Sequence, residues 1–391
     1  MQPQTALLSP CVSTSLAKHL AEISKECTNC GLFRKQCAFL KKYGKPKDIA
    51  DAYDADADSG LAFECSLCNL CTAVCPVDID PAAMFLEMWR EAVRQGKGEF
   101  PEHQVIRNYE KRGFSPRYSY YGLPQNCDTV FFPSCGLSGT RPDKVIKLFN
   151  HLKKSISGLG IVLDCCTKPS HDLGDQDFFE TMFTDLKNYL LRHGIKKVIV
   201  ACPNCYKVFK EYGEKFTVTT AYEMLLETGL PEAGRVKGSV TVHDPCAVRF
   251  EGSIHDAARN LLAKTGLDVE EMKHHHKKTI CCGEGGSVGF LTPELLKNWS
   301  RMRKDEAHGR TTLTYCAGCA NYLNPLTPTY HLLDLVFEPQ ATMAGKAKVS
   351  RSPFTYLNRL KLKKYFRNSL DVAVSRERPK KLDKRSGKGE C

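Results

Sequence analysis

Val198-Ile-Val-Ala-Cys202-Pro-Asn-Cys205 is a β-type run that ends in a C-x2-C pair. Thr312-Leu-Thr-Tyr-Cys316-Ala-Gly-Cys319 has the same form farther along the chain. Two further pairs of runs also end in cysteine. Thr129-Val-Phe-Phe-Pro-Ser-Cys135 matches Val240-Thr-Val-His-Asp-Pro-Cys246, and Ile161-Val-Leu-Asp-Cys165-Cys166 matches Thr279-Ile-Cys281-Cys282. Each copy reads C…CC…CxxC, and the copies are offset by 111 to 116 residues, which indicates two similar domains arisen by duplication. Amphipathic stretches at 143–152, 178–193 and 254–264 lie between the runs. This strand–helix–strand alternation predicts a parallel-type sheet with covering helices in each copy. Sites in such sheets form at the carboxyl ends of the strands. Each set of five cysteines is therefore expected to converge on one site. Ordinary buried thiols are common in cores, but that does not explain two matching sets at strand ends. A redox dithiol at Cys202/Cys205 or Cys316/Cys319 stands as an alternative.

Upstream, Cys65-Ser-Leu-Cys68-Asn-Leu-Cys71-Thr-Ala-Val-Cys75-Pro76 is the C-x2-C-x2-C-x3-C-P run of two-cluster bacterial ferredoxins, in which the fourth cysteine serves the other cluster. A zinc site usually shows two C-x2-C pairs with a longer spacer. Cys27-Thr-Asn-Cys30-Gly-Leu-Phe33-Arg-Lys-Gln-Cys37 fits the same frame, with Phe33 where the third cysteine belongs. Crossed ligation assigns Cys37, Cys65, Cys68 and Cys71 to a complete cubane. It leaves Cys27, Cys30 and Cys75 for an incomplete one, expected to be a three-iron, labile or unusually ligated centre. Cys11 is the unassigned upstream thiol that could fill the gap; alternatively Phe33 abolishes that centre. Helices are expected at 13–26, with Leu16, Leu20 and Ile23 on one face, and from Asp80-Pro81 to about Arg94. The aspartates from 51 to 58 do not fit a calcium loop, because a loop begun at Asp54 has Ser59 at position six and Cys65 at position twelve.

The chain has 391 residues and 20 cysteines. Disulfide frameworks favour small secreted domains, and the start, Met1 to Pro10, has neither a basic nor a long apolar stretch of the kind a secretory signal carries. A cytoplasmic setting with metal-bound thiols is expected. No apolar run is long enough to span a membrane. The formal net charge is +12, of which the last 46 residues contribute +11. The cysteine-rich body is thus nearly neutral, and nucleic-acid binding is not expected. The stretch 354–367 mixes aromatic and basic residues and suits an amphipathic helix on a membrane surface or an acidic partner. The run 376–388 is basic and expected to be disordered. His274-His-His276 is expected in an exposed loop. Cys127 and Cys391 belong to no motif.

Three strings, Cys281-Cys282-Gly-Glu-Gly-Gly-Ser-Val-Gly289, Cys202-Pro-Asn-Cys205 and His243-Asp-Pro-Cys246, resemble the cysteine-rich CCG domain of heterodisulfide reductases and related iron–sulfur oxidoreductases. A ferredoxin module fused to two CCG domains is similar to the catalytic subunit of membrane-type heterodisulfide reductase. It is also similar to the iron–sulfur subunits of anaerobic glycerol-3-phosphate dehydrogenase and glycolate oxidase. The resemblance covers about residues 13–345. It implies a noncubane 4Fe-4S cluster on Cys135, Cys165, Cys166, Cys202 and Cys205, and another on Cys246, Cys281, Cys282, Cys316 and Cys319. It further implies electron relay from the cubanes and joint cleavage of a substrate disulfide, with a flavoprotein or a membrane haem or quinone subunit as partner. The alternative it allows is an electron-transfer subunit of a flavin-dependent dehydrogenase, oxidising a hydroxy acid or glycerol 3-phosphate and feeding quinone. In the first copy Cys166-Thr-Lys-Pro replaces Cys282-Gly-Glu, so the two sites need not be equivalent. The glycines after Cys282 are expected to let backbone amides approach sulfur.

The expected fold class is α/β. A helical two-cluster ferredoxin-like module (1–122) is followed by two duplicated CCG domains with parallel-type sheets (123–238 and 239–345). A basic, partly disordered tail (346–391), able to touch the inner face of a membrane peripherally, ends the chain.

Overall fold

The computed structural model describes residues 12–32, 34, 36–55 and 60–379. Cys11, Phe33, Cys391, part of the aspartate-rich stretch and the end of the basic run lie outside these residues.

The N-terminal region is helical. Thr14–Glu26 begins where Ser13 Oγ accepts from the Leu16 amide (3.3 Å), a cap that contributes about 1 kcal/mol. Its Leu16, Leu20 and Ile23 are buried, as the period predicts. Pro81–Arg94 starts with proline at its first position. Asp80 accepts there from the Ala82 and Ala83 amides, both at 3.1 Å. Its inner face, with Met84, Phe85, Met88 and Trp89, shares a core with the first helix, Phe39 and Phe63.

His103 lies in this region fully buried beside Phe63 and Phe100, and neither ring nitrogen has a partner among the described residues. Burial, aided by Arg107, pushes it down to about 4. A histidine that is harder to protonate folded than unfolded stabilises above its ordinary value near 6.5, and that stability is lost as the pH falls toward 4. The full swing is roughly 3 kcal/mol. His103→Leu is expected to flatten the acid limb of the stability profile in that window, as denaturant melts of the holoprotein at a series of pH values would show.

Among the described residues ten strands form two sheets. They are β1 Tyr120–Leu123, β2 Thr129–Phe132, β3 Gly160–Leu163, β4 Lys197–Val200, β5 Thr217–Thr220, β6 Gly238–His243, β7 Leu267–Val269, β8 Thr312–Thr314, β9 Thr329–His331 and β10 Val374–Arg376. The first sheet has the order β10-β1-β3-β2-β4-β5 and the second β7-β6-β8-β9. The second is parallel throughout. In the first, β3, β2, β4 and β5 are parallel, while β1 pairs antiparallel with both β3 and β10. The shared core β3-β2-β4-β5 and β7-β6-β8-β9 is the duplication seen in the sequence. Helices Pro142–Lys153, Gln176–Arg192 and Gly252–Thr265 cover the sheets where amphipathic stretches were expected. The apolar interiors of both copies merge into one core.

Two expectations are corrected. Thr279-Ile-Cys281-Cys282 is not a strand. The strand equivalent to β3 is β7, and the chain then loops through the histidine triplet before reaching Cys281. Two β-type residues are too few to hold a ladder position. The second correction concerns residues 346–379, expected as a tail. Phe354–Ser369 is a helix, but Leu362 and Phe366 are buried in the first copy's core, and Arg359 and Lys363 are buried with them. The β10 strand then extends the first sheet, and Arg378, 1 % exposed, pairs with Asp164 at 2.6 Å and donates to the Met182 carbonyl. Arg359, Lys363, Arg367, Arg376 and Arg378 bind the chain's own acids and carbonyls, and the expected helix packs Leu362 and Phe366 inward while Phe354 and Leu357 stay exposed.

Candidate functional site

Four groups of cysteine side chains can be followed from the N-terminal region into the sheets. Cys27, Cys30 and Cys75 line one small pocket, together with Asn29, Lys45 and Pro76, and no fourth cysteine lines it among the described residues. Cys37, Cys65, Cys68 and Cys71 line another, walled by Phe39, Leu40, Leu70, Phe85 and Trp299. The grouping is the crossed one that the spacing predicts. The C-x2-C turns are tight because Asn29 (φ 57°), Leu67 (φ 47°) and Asn69 (φ 56°) adopt the left-handed region. That conformation is uncommon for residues with a Cβ and marks a backbone held for a purpose. Burial pushes the Cys37 thiol up to about 12 and raises Cys65 well above its usual value, with neighbouring cysteines adding to the effect. Four desolvated sulfurs facing one another require a cationic centre before they can all ionise.

Cys135, Cys202 and Cys246 follow the carboxyl ends of β2, β4 and β6, and Cys316 follows β8. In the first copy Cys135 contacts Cys165, and Cys166, Cys205 and Cys202 form a chain, with Cys205 Sγ 3.5 Å from Cys166 Sγ. In the second, Cys246 contacts Cys281, and Cys282 contacts both Cys281 and Cys319, which reaches Cys316. Each set of five is brought together. The two sets also face each other, with Cys202 and Cys316 neighbours across the copies. Tyr222 bolts this seam, its hydroxyl reaching the carbonyls of Ala201 (2.9 Å) and Tyr315 (2.7 Å), the residues just before Cys202 and Cys316.

Within the sets some sulfurs are poised as thiolates. Contact with Cys165, with Arg359 and Tyr109 nearby, draws Cys135 down to about 6. Contacts with Cys281 and Cys319 do the same for Cys282. The neighbouring thiols of Cys205 and Cys316 hold Cys202 well below the ordinary thiol range. Among the described residues all cysteines are free. Soft, buried thiols gathered in groups of four and five, some of those in the sets of five drawn toward the thiolate, are the donor set that iron–sulfur clusters select. The residues present fit such groups.

A 4Fe-4S dicluster domain matches residues 23–79, and a cysteine-rich domain matches residues 129–210 and again 240–324. Together they account for more than half of the chain. The chain belongs to the CCG-domain iron–sulfur proteins. Its domains are of the kind that carry 4Fe-4S clusters, and it is an iron–sulfur electron-transfer protein of the heterodisulfide-reductase-like family. The chain is 26% identical over 287 residues to an EtfAB:quinone oxidoreductase of Syntrophomonas wolfei, covering 64% of this chain and 40% of that one. It is 25% identical over 305 residues to a subunit of the fumarate reductase (CoM/CoB) of Methanothermobacter marburgensis, with 72% and 60% covered. It is 24% identical over 279 residues to a subunit of the dihydromethanophenazine:CoB–CoM heterodisulfide reductase of Methanosarcina mazei, with 62% and 66% covered. The chain thus spans less than two thirds of the length of the first two of these relatives. No helix among its described residues is long and apolar enough to cross a membrane.

Several residues of the CCG sites escaped the sequence reading. Lys168 and Glu284 occupy equivalent places in the two copies, each second after the cysteine pair. Lys168 faces Cys246 of the other copy as well as Cys166, and is paired with Asp172. Glu284 faces Cys202 and Cys135 of the other copy, and burial raises it to about 7. A Cβ on Gly318 would overlap the Glu284 carboxylate at 1.8 Å, so glycine there admits the acid to the second C-x2-C loop. The signal was the Thr-Lys against Gly-Glu difference between copies. Thr167 takes φ 55° where Gly283 has φ 112°, an unusual conformation for a β-branched residue. Gly283 N–H donates to Cys281 Sγ at 3.2 Å, as the glycine run suggested. Gly285 and Gly286 do something else. A Cβ at either would strike the carbonyl of Ser66 (2.4 Å) or Cys65 (2.5 Å), so they let the second copy close on the ferredoxin-type loop. Arg249 spans that junction, donating from Nε to the Cys68 carbonyl (2.9 Å) and from Nη1 to the Lys277 carbonyl (2.6 Å). Burial raises the Cys68 thiol, and contact with Cys281 and burial raise Cys246; the Arg249 charge opposes both shifts. Burial, and then Arg303, push His243 down to about 3.

Cys127 lies apart from these groups, buried in the first sheet with its thiol on the Thr129 carbonyl (3.3 Å). In the histidine triplet, His274 pairs with Glu306, while His275 and His276 gather beside Glu271 on a part-exposed surface.

Proposed function

We propose that this chain accepts electrons at its N-terminal region, passes them to the paired CCG sites and there reduces a substrate disulfide to two thiols. The ligands in this reading are Cys37, Cys65, Cys68 and Cys71 for a cubane, and Cys27, Cys30 and Cys75 for an incomplete centre. Cys135, Cys165, Cys166, Cys202 and Cys205 serve one noncubane cluster, and Cys246, Cys281, Cys282, Cys316 and Cys319 the other. When bound, such clusters supply single electrons and iron with affinity for sulfur. The observation that carries the reading is the seam at which Tyr222 holds the carbonyls of Ala201 and Tyr315 together, the residues just before Cys202 of one set and Cys316 of the other. Two one-electron sites that abut suit a bond whose cleavage needs two electrons and two protons: RS–SR′ + 2e⁻ + 2H⁺ gives RSH + R′SH. The proximity of Cys68 to Cys246 supports entry through the second copy, with Arg249 holding the two loops together. Lys168 and Glu284 place one basic and one acidic side chain among the sulfurs of both sets. The electrons come from a reduced flavoprotein or haem partner.

The test is electron paramagnetic resonance on anaerobically purified holoprotein, with iron and sulfide content, during titration with disulfides. The expected result is a paramagnetic signal that appears with a disulfide and shifts with the thiol supplied. Intact clusters that respond to no disulfide but exchange electrons with a flavoprotein would overturn this reading. They would favour the second one, an electron-transfer subunit between a flavin-dependent dehydrogenase and quinone, for which the likeness to an EtfAB:quinone oxidoreductase speaks.

A further inference from the structure

The two CCG copies differ at a buried strand end. Three residues before the first cysteine of each set stand Phe132 and His243, both fully buried, at the ends of β2 and β6. A histidine in an apolar strand end needs partners for two ring nitrogens, and only one is supplied by protein. Arg303 Nη1 lies 3.4 Å from His243 Nδ1. A guanidinium has no acceptor, so Nδ1 must present its lone pair, and the single proton of the neutral ring sits on Nε2. Arg303 is itself fixed, donating from Nη2 to the His274 carbonyl (2.8 Å) and pairing with Glu306. The ring orientation and tautomer therefore follow from its surroundings.

Nε2 has no partner among the described residues. A buried N–H left without an acceptor forfeits the hydrogen bond it had in water and is rare in folded proteins. The acceptors at hand are sulfurs, since a ring nitrogen of His243 and the thiols of Cys282 and Cys319 all lie within 4.8 Å of one another. We propose that His243 donates its Nε2–H to sulfur at the second cysteine set and so raises the reduction potential of that site, a contribution Phe132 cannot make at the first. This rests on the reading that the set holds a cluster. A nitrogen that carries the proton cannot also ligate iron, so His243 acts as a donor to sulfur and not as a sixth ligand. Reduction adds negative charge that spreads onto the sulfurs, and an N–H aimed at them stabilises the reduced form more than the oxidised one. The second set is also the one beside Cys68, so the effect falls where electrons enter from the cubane.

The test is a redox titration of the holoprotein, followed by electron paramagnetic resonance, for wild type, His243→Phe and His243→Gln, with iron and sulfide measured on each. In His243→Phe the midpoint of one CCG signal is expected to fall by at least a tenfold change in the one-electron equilibrium, about 59 mV. Its g-values should persist and an exchangeable proton coupling should disappear. The glutamine amide keeps an N–H donor and should restore much of the midpoint. If the phenylalanine variant loses iron, the glutamine variant decides: a near-native midpoint supports the donor role, and a fully shifted one overturns it. An unchanged midpoint in His243→Phe, or a strong nitrogen coupling that shows direct ligation in wild type, also overturns it. Wild-type protein without iron at this site would instead overturn the functional reading on which the inference rests.

Discussion

Serine at position 316 is expected to reduce disulfide turnover by more than roughly a hundredfold while leaving the spectrum of the N-terminal cubane intact. Losing a group that merely orients a metal ligand typically costs 10–100-fold, so losing a ligand should exceed that range. A serine hydroxyl is a hard oxygen that stays protonated at neutral pH, whereas the site requires soft thiolate donors. Cys316 is also the sulfur at the seam, in contact with Cys202 of the first set and Cys319 of its own. On the proposed ligation, its replacement would remove one donor from the second cluster and a side chain at the junction of the two sites. The cubane should survive because Cys37, Cys65, Cys68 and Cys71 line a separate cavity. Cys127→Ser is the control. That thiol is equally buried but bonds to a backbone carbonyl, a role a hydroxyl can fill, and neither iron content nor spectrum should change. The measurements are iron per chain, the disulfide-induced signal and turnover with an artificial electron donor. A Cys316→Ser protein with a native response to disulfide would remove Cys316 from the ligand set.

The chemistry of the sites was easier to read than their surroundings. Cysteine spacing is a local property: two residues between thiolates dictate a turn, and a β-run followed by cysteine dictates a strand end. The groupings of Cys27, Cys30 and Cys75 and of Cys37 with Cys65, Cys68 and Cys71 followed from such local constraints, as did both sets of five. The parts that were missed depend on contacts distant in sequence. Lys168 and Glu284 matter because the copies face each other, which neither copy's own pattern reveals. Arg249 matters because Gly285 and Gly286 allow the ferredoxin-type loop to close on the second copy. The tail was misread because its basic residues suggested solvent or membrane. Arg359 instead lies beside Cys135 and donates to the Gly113 carbonyl at 3.0 Å, and Arg378 reaches Asp164. Composition gives a segment's charge but not the burial of the acids and carbonyls that receive it. Thr279-Ile failed as a strand because the local pattern matched its counterpart while the pairing partner was taken by β7.

Asp334→Ala should destabilise the protein by about 3–5 kcal/mol. Arg141 of the first copy donates from Nε to both oxygens of Asp334 in the second, at 2.9 and 2.8 Å, and both side chains are essentially without solvent contact. Arg141 precedes the helix Pro142–Lys153, while Asp334 lies in the helix Leu332–Phe337 and accepts from the His331 amide at 3.1 Å. The pair therefore ties the two CCG copies together behind the seam. Burial pushes Asp334 above the ordinary carboxylate range even though Arg141 opposes it. Desolvation has thus outweighed attraction, and the pair as a whole is a poor source of net stability. Its removal in halves is another matter, because each half would strand a buried charge. Two results should follow. The single variant should unfold at markedly lower denaturant, whereas Arg141→Met combined with Asp334→Leu should recover most or all of the loss. Breaking the exposed pair of Arg367 and Glu377 should change stability by less than about 1 kcal/mol. The comparison needs a double-mutant cycle in denaturant with the cluster spectrum followed in parallel. If the double variant is as unstable as the single one, the pair's worth lies in its own attraction and the desolvation argument fails. If the double variant is stable but loses the disulfide-induced signal, Arg141 and Asp334 serve to hold Cys202 against Cys316, and the register of the two copies is a requirement of the chemistry.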